Sequence, residues 1–149
     1  MILKRMKRRH NSKDVFEFVE HCKKIREDVS FGADIIAGFP TETDEMFDNT
    51  YRLLKENEIS HLHIFPFSPK NNTPASRMPQ VSKLIIKKRA KNLRELGELI
   101  LKKVKSKLFL PREVLIEELN LGLAVGYDQN YIKHKVPLVG VPVGEIVRV

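Results

Sequence analysis

One cysteine in 149 residues, Cys22, excludes an intramolecular disulfide and any cysteine-only metal site within this chain. That usage fits a reducing cytosol. No apolar run approaches the roughly 20 residues needed to span a bilayer, and no signal-peptide core follows the basic amino terminus. The absences point to a cytoplasmic protein with no membrane partner. Acidic residues are scarce in two places. Residues 1–10 hold five basic and no acidic side chains, and residues 80–107 hold ten basic against two acidic, so these segments carry the positive charge of a chain whose formal net charge is +8 and whose remaining residues are net acidic. Basicity concentrated in this way suggests a polyanionic partner. With 42% hydrophobic residues the chain should fold, as one domain or as a partial domain with a small module.

The stretch Asp34 to Phe47, DIIAGFPTETDEMF, organises the rest. Ile35, Ile36 and Ala37 read as a strand covered on both faces, which Gly38 and Pro40 then break. Thr43 can cap a helix that Asp44 and Glu45 open, with Met46, Phe47, Tyr51 and Leu54 at helical spacing. Ligands of α/β folds sit at the carboxyl ends of strands, so the GFPTET turn is the place to seek function. A second strand follows at Ile59–Phe65, one strand-helix repeat of 28 residues after Phe31. Its His61 and His63 lack the nearby third ligand that zinc requires. The loop PFSPKNNTPASRMP comes next, punctuated by Pro66, Pro69, Pro74 and Pro79; it is either a connection or a ligand-facing loop.

Before that unit, Asn11 or Ser12 can cap a helix from Lys13 to Arg26, with Val15, Phe16, Val19, Cys22 and Ile25 on one face. Cys22 there reads as a small buried apolar residue. After it, residues 80–107 form the longest helical pattern, with Val81, Leu84, Ile85, Leu93, Leu96, Ile100 and Val104 inward. Lys83, Lys87, Lys88, Lys91, Arg94 and Lys102 face outward, with Arg89 nearby, as a solvated face or a phosphate-backbone site. From Leu110 the period becomes two. Four short strands then make a small antiparallel barrel, with Ile132, Val136 and Ile146 toward its core and Lys133, Lys135 and Arg148 outward. Tyr127 and Tyr131 near a hairpin tip either pack or stack on bases.

This succession of segments resembles the MiaB-like radical S-adenosylmethionine tRNA methylthiotransferases over nearly the whole chain. LKRMKRRH is similar to the family's L-K-R-M-x-R-x-Y, ADIIAGFPTET to T-D-I-I-V-G-F-P-G-E-T, and HIFPFSPKNNTPASRMP to H-x-F-x-Y-S-x-R-x-G-T-x-A-x-x-M. VLIEELNLGLAVGYDQNYIKHKV resembles its small RNA-binding TRAM barrel, and LHIFPFSP and NYIKHKV look closest to the branch acting on threonylcarbamoyladenosine beside the anticodon. Thr41 stands where the family has glycine after Pro40, and a β-branched residue resists the left-handed turn conformation; Asn72 replaces a second glycine and tolerates it better.

The resemblance implies an α/β fold, the carboxyl-terminal part of a radical S-adenosylmethionine (β/α) partial barrel over residues 1–107, followed by a shortened TRAM-like β module over 108–149. It implies S-adenosylmethionine bound by Ile36, Gly38, Phe39, Pro40, Phe65 and Ser68, and tRNA bound by Lys87, Lys88, Lys91, Arg94, Tyr131 and Lys133. The family's 4Fe-4S cluster is held by C-x-x-x-C-x-x-C, whose cysteines are not in this chain, and neither a catalytic residue nor a metal ligand is expected here. Two functions remain open, with a decayed gene product as a third reading. One is a methylthiotransferase piece inactive alone and dependent on a separate amino-terminal half that carries the cluster cysteines; the other is a non-catalytic RNA-binding remnant.

Overall fold

The computed structural model describes residues 2–108, 111–137 and 140–149. A single turn, α1 (Ile2–Arg5), leads into α2 (Ser12–Ile25). Asn11 is the cap of α2: its side chain accepts from the Lys13 and Asp14 amides, while Asp14 accepts from the Asn11 amide at 2.7 Å. The face expected to be buried is covered only in part. Val19 is buried and Cys22 half-buried, but Phe16 is exposed and Ile25 is 75% exposed. Amphipathic spacing marks a face that seeks cover; a two-stranded sheet gives this helix little to lie on.

Strand β1 (Gly32–Ala37), helix α3 (Asp44–Glu56) and parallel strand β2 (His61–Pro66) form the anticipated crossover, in register from Gly32 opposite His61 to Ala37 opposite Pro66. Thr43 caps α3 by accepting from the Met46 amide at 3.2 Å, and Asn57 closes it. The two-sided cover expected for β1 is not found: Asp34 is exposed, and Ile35 and Ile36 are half-buried. The other face packs on α4 (Lys83–Lys107), which Ser82 caps. Leu93, Leu96 and Ile100 meet Ala37, Phe47, Leu54 and Ile59 in one apolar core.

The buried side of α4 is rotated from the expected one in its first turns. Ile86, Arg89 and Ala90 face in, while Leu84 is 81% exposed and Ile85 is also exposed. Ile86 wins because the chain that leaves β1 turns directly beneath it, as described below. Within the proline-punctuated loop the chain makes a 3-10 turn at Pro74–Arg77.

Strands β3 (Glu113–Asn120), β4 (Leu123–Asp128), β5 (Lys133–Val136) and β6 (Ile146–Arg148) form a curled, all-antiparallel half-barrel sheet in the order β5-β4-β3-β6. Val114, Ile116 and Ala124 are its core, with Val141, Val147 and Val149 against them. Ile132 is buried and Val136 half-buried. Ile146, expected inside, is 67% exposed, and its neighbour Val147 takes the inner position. Pairing of Val147 with fully buried Val114 fixes that alternation. No helix among the described residues is long and apolar enough to cross a membrane.

Candidate functional site

The turn that leaves β1 is fixed by its own backbone and by α4. Gly38 has φ +75°, and a Cβ there would lie 2.4 Å from Ile86 Cγ1, so glycine admits the helix to the strand end. The Gly38 amide donates to Glu42 Oε2 at 3.0 Å. Phe39 packs edge-on against Phe67, with centroids 5.4 Å apart. Thr41 does adopt the left-handed conformation that its β-branched side chain disfavours, at φ +66°. Its amide donates to the Pro79 carbonyl at 3.1 Å, and Arg5 donates to its hydroxyl. The surroundings therefore impose the turn that glycine would adopt freely, and Asn72 does likewise at φ +64°.

Behind this turn lies an ion cluster that spacing alone hides. Arg89, expected near the basic outer face of α4, is buried and donates to Glu42 Oε2 at 2.7 Å, to the Glu42 carbonyl at 3.0 Å and to Asp44 at 2.6 Å. Burial pushes the Glu42 carboxyl up, opposed by the Arg89 charge and the Gly38 amide.

An open cavity of about 1600 Å³ lies beside the uncovered face of β1, between the residues that precede α2 and the strand ends. Ile36, Phe65 and Ser68 are on its wall, as are Arg8, Arg9 and Lys70. Gly38, Phe39 and Pro40 are buried and do not line it, so three of the six residues expected around a nucleoside ligand share this wall and three do not. The half-buried Ile36 and exposed Phe65 ring give this wall an apolar surface, and Ser68 and Lys70 add a hydroxyl and an ammonium to it. A thiolate-held cluster does not fit this chain. Its one cysteine is half-buried on α2, and no group of three His, Cys, Asp or Glu among the described residues could hold a metal ion.

The six residues expected to face RNA are all exposed, and they fall into two groups. Lys87, Lys88, Lys91 and Arg94 lie on the early half of α4, near Arg89 and hence near the carboxyl end of β1. Tyr131, 78% exposed at φ +56°, sits with its ring centroid 6.5 Å from that of Tyr127, and Lys133 Nζ lies 5.9 Å over the Tyr127 ring. This aromatic and cationic group is at the amino ends of the strands. His61 Nε2 of β2 donates to the Asn130 carbonyl at 2.9 Å, which commits that histidine to a structural contact.

The contact belongs to a polar junction between the α/β part and the curled sheet. Arg112 donates to Asp128 at 3.2 Å and to Asn130, and Asn130 donates to the Asp28 carbonyl and to Ser30. Burial opposes ionisation of Asp128, but the Ile132 amide, His134, the Asn130 amide and Arg112 together hold its carboxyl below the usual range. Part of this was readable, since Asp128-Gln129-Asn130 is a turn in which Asp128 accepts from the Asn130 amide at 2.8 Å.

No family model matches the chain. It is 50% identical to the threonylcarbamoyladenosine tRNA methylthiotransferase of Rickettsia prowazekii over 91% of this chain and 31% of that protein. It is 39% identical to the protein of the same name from Thermotoga maritima, over 97% of this chain and 33% of the relative. A tRNA-2-methylthio-N(6)-dimethylallyladenosine synthase of Ehrlichia canis is 38% identical over 64% of this chain and 22% of its own length. The chain thus spans about a third or less of these curated relatives, in their carboxyl-terminal part.

Proposed function

The chain belongs to the tRNA methylthiotransferase family, to whose carboxyl-terminal part it corresponds, and from this premise we propose that it is the nucleoside-holding and tRNA-gripping portion of such an enzyme. In this reading residues 1–107 are part of a radical S-adenosylmethionine barrel, residues 108–149 are a TRAM-like RNA-binding module, and the protein works in the cytoplasm. The substrate is threonylcarbamoyladenosine of tRNA, as the names of the relatives with the broadest match suggest.

One observation carries the proposal: Ile36, Phe65 and Ser68 share a single cavity wall at the strand ends. Ile36 and Phe65 would flank the adenine of S-adenosylmethionine, Ser68 would meet its polar tail, and Gly38, Phe39 and Pro40 would hold β1 and α4 in place behind it. Bound there, S-adenosylmethionine would supply the methyl group and the radical chemistry of the methylthio transfer. An iron-sulfur cluster would need thiolates that these 149 residues do not supply, so in this reading a cysteine-bearing segment outside them completes the enzyme. Mixing the chain with a reconstituted amino-terminal half and tRNA that carries threonylcarbamoyladenosine without a methylthio group should yield methylthio-tRNA, detected by mass spectrometry of the digested nucleosides; a complete absence of product with a competent cluster would overturn the reading.

A second reading, a non-catalytic RNA-binding protein, is favoured by the exposed Tyr131, Tyr127 and Lys133 group and the basic face of α4. It requires tRNA binding by the chain alone and no product in the same mixture.

A further inference from the structure

We propose that Arg8 and Arg9 recognise the carboxylate of the substrate base, an assignment that rests on the reading of the cavity as the site of nucleoside chemistry. The two adenosines named in the relatives differ in charge. Coupling threonine through a carbamoyl group leaves its carboxyl free and ionised, whereas a dimethylallyl group is neutral and apolar. A site for the first must offer cations that are not already neutralised, because a carboxylate leaving water without a partner is strongly disfavoured.

The cavity offers them. Arg8 and Arg9 lie next to each other on its wall, together with Ile36, Phe65 and Ser68. Both side chains are exposed, and among the described residues neither makes an ion pair or a side-chain hydrogen bond. The other arginines near the site are engaged: Arg5 with Thr41, Arg52 with Asn49, and Arg89 with Glu42 and Asp44. Three acids share the lining: Glu42 is occupied by Arg89, and neither Asp34 nor Glu56 forms an ion pair with Arg8 or Arg9 among the described residues. Guanidinium groups match a carboxylate with two parallel N–H donors, which gives direction as well as charge. The arginine pair would then take the amino-acid end of the substituent, on the same cavity wall as the apolar residues assigned to S-adenosylmethionine.

The test uses the 149-residue chain and calorimetric titration with N6-threonylcarbamoyladenosine, its carboxyl methyl ester and N6-dimethylallyladenosine, with S-adenosylhomocysteine titrated separately. The free acid should bind at least about tenfold more tightly than the ester or the dimethylallyl nucleoside, the scale of a charge-assisted hydrogen bond. An Arg8→Gln/Arg9→Gln variant should lose that preference, and Arg8→Lys/Arg9→Lys should regain part of it. Equal binding of acid and ester, or a preference that survives the Gln variant, overturns the assignment. Should S-adenosylhomocysteine bind and no nucleoside do so, this inference falls and the reading of the cavity stands; should nothing bind, both fall.

Discussion

The Arg89 guanidinium meets the Glu42 carboxylate at 2.7 Å, with both side chains only 6% exposed. It ties the fourth helix to the turn beyond the first strand, and the two groups depend on it unequally. Arg89→Met would leave Glu42 buried without its cation, a loss of about 3–5 kcal/mol. Glu42→Gln should cost clearly less, because burial already pushes that carboxyl toward its neutral form and an amide oxygen can still accept from Gly38. Urea unfolding midpoints would compare them; equal losses would contradict this account.

Glu58 gives the fold an acid-sensitive contact at the other end of the same helix. Hydrogen bonds from Lys103 and Lys107 bring its carboxyl down to about 2 from 4.5. A depressed acid stabilises the fold fully above its ordinary value and loses that contribution as pH falls from about 4.5 toward 2. Since both lysines are more than half exposed, screening keeps the gain near 1 kcal/mol or below. Glu58→Gln should therefore lower the melting temperature at pH 7, leave it unchanged near pH 2, and matter little in 1 M salt. A difference that persists at pH 2 would argue for packing instead.

What could be read from the sequence was local. Asn11 and Thr43 bound their helices because N-capping needs only a side-chain oxygen and an amide a few residues away. The four strands of the curled sheet likewise announce themselves by alternation and turn residues. Arg89 was misplaced because its partner is 47 residues distant and helical spacing places it at the edge of a basic face. Ile146 and Val147 exchanged roles because a three-residue strand takes its register from its neighbour. The Asn130 contact with Asp28 spans 102 residues, and no periodicity carries it. At the candidate site, the residue types on the cavity wall were legible, but the inward burial of Gly38, Phe39 and Pro40 depended on where α4 came to rest.

Thr41 holds a backbone conformation that costs an L-residue roughly 1–2 kcal/mol. Replacing it with glycine relieves that strain, at the expense of the Arg5 hydrogen bond and of greater freedom in the unfolded chain. The net expectation for Thr41→Gly is a modest stabilisation, up to about 1 kcal/mol, with no change in the cavity wall. Thr41→Val, which keeps the branching and loses the hydroxyl, should destabilise. If the glycine variant melts below the parent, the hydroxyl contact outweighs the strain.

The two groups proposed to meet RNA lie toward opposite ends of the strands, which makes their contributions separable. Lys91 precedes Lys103, the neighbour of Glu58, by twelve residues, about 18 Å along the helix axis; Tyr131 and Lys133 lie beyond the strand ends on that later side. Groups so far apart with no shared partner should act additively. Lys87→Glu/Lys91→Glu should weaken tRNA binding and flatten its dependence on salt, because fewer phosphates release counterions. Tyr131→Ala should weaken binding by about 1–3 kcal/mol through lost stacking and leave the salt slope nearly unchanged. Combining all three changes should then sum the losses within about 0.5 kcal/mol. A salt slope indifferent to reversal would remove the helix from the interface, and strong non-additivity would mean that one RNA segment bridges what the fold sets apart.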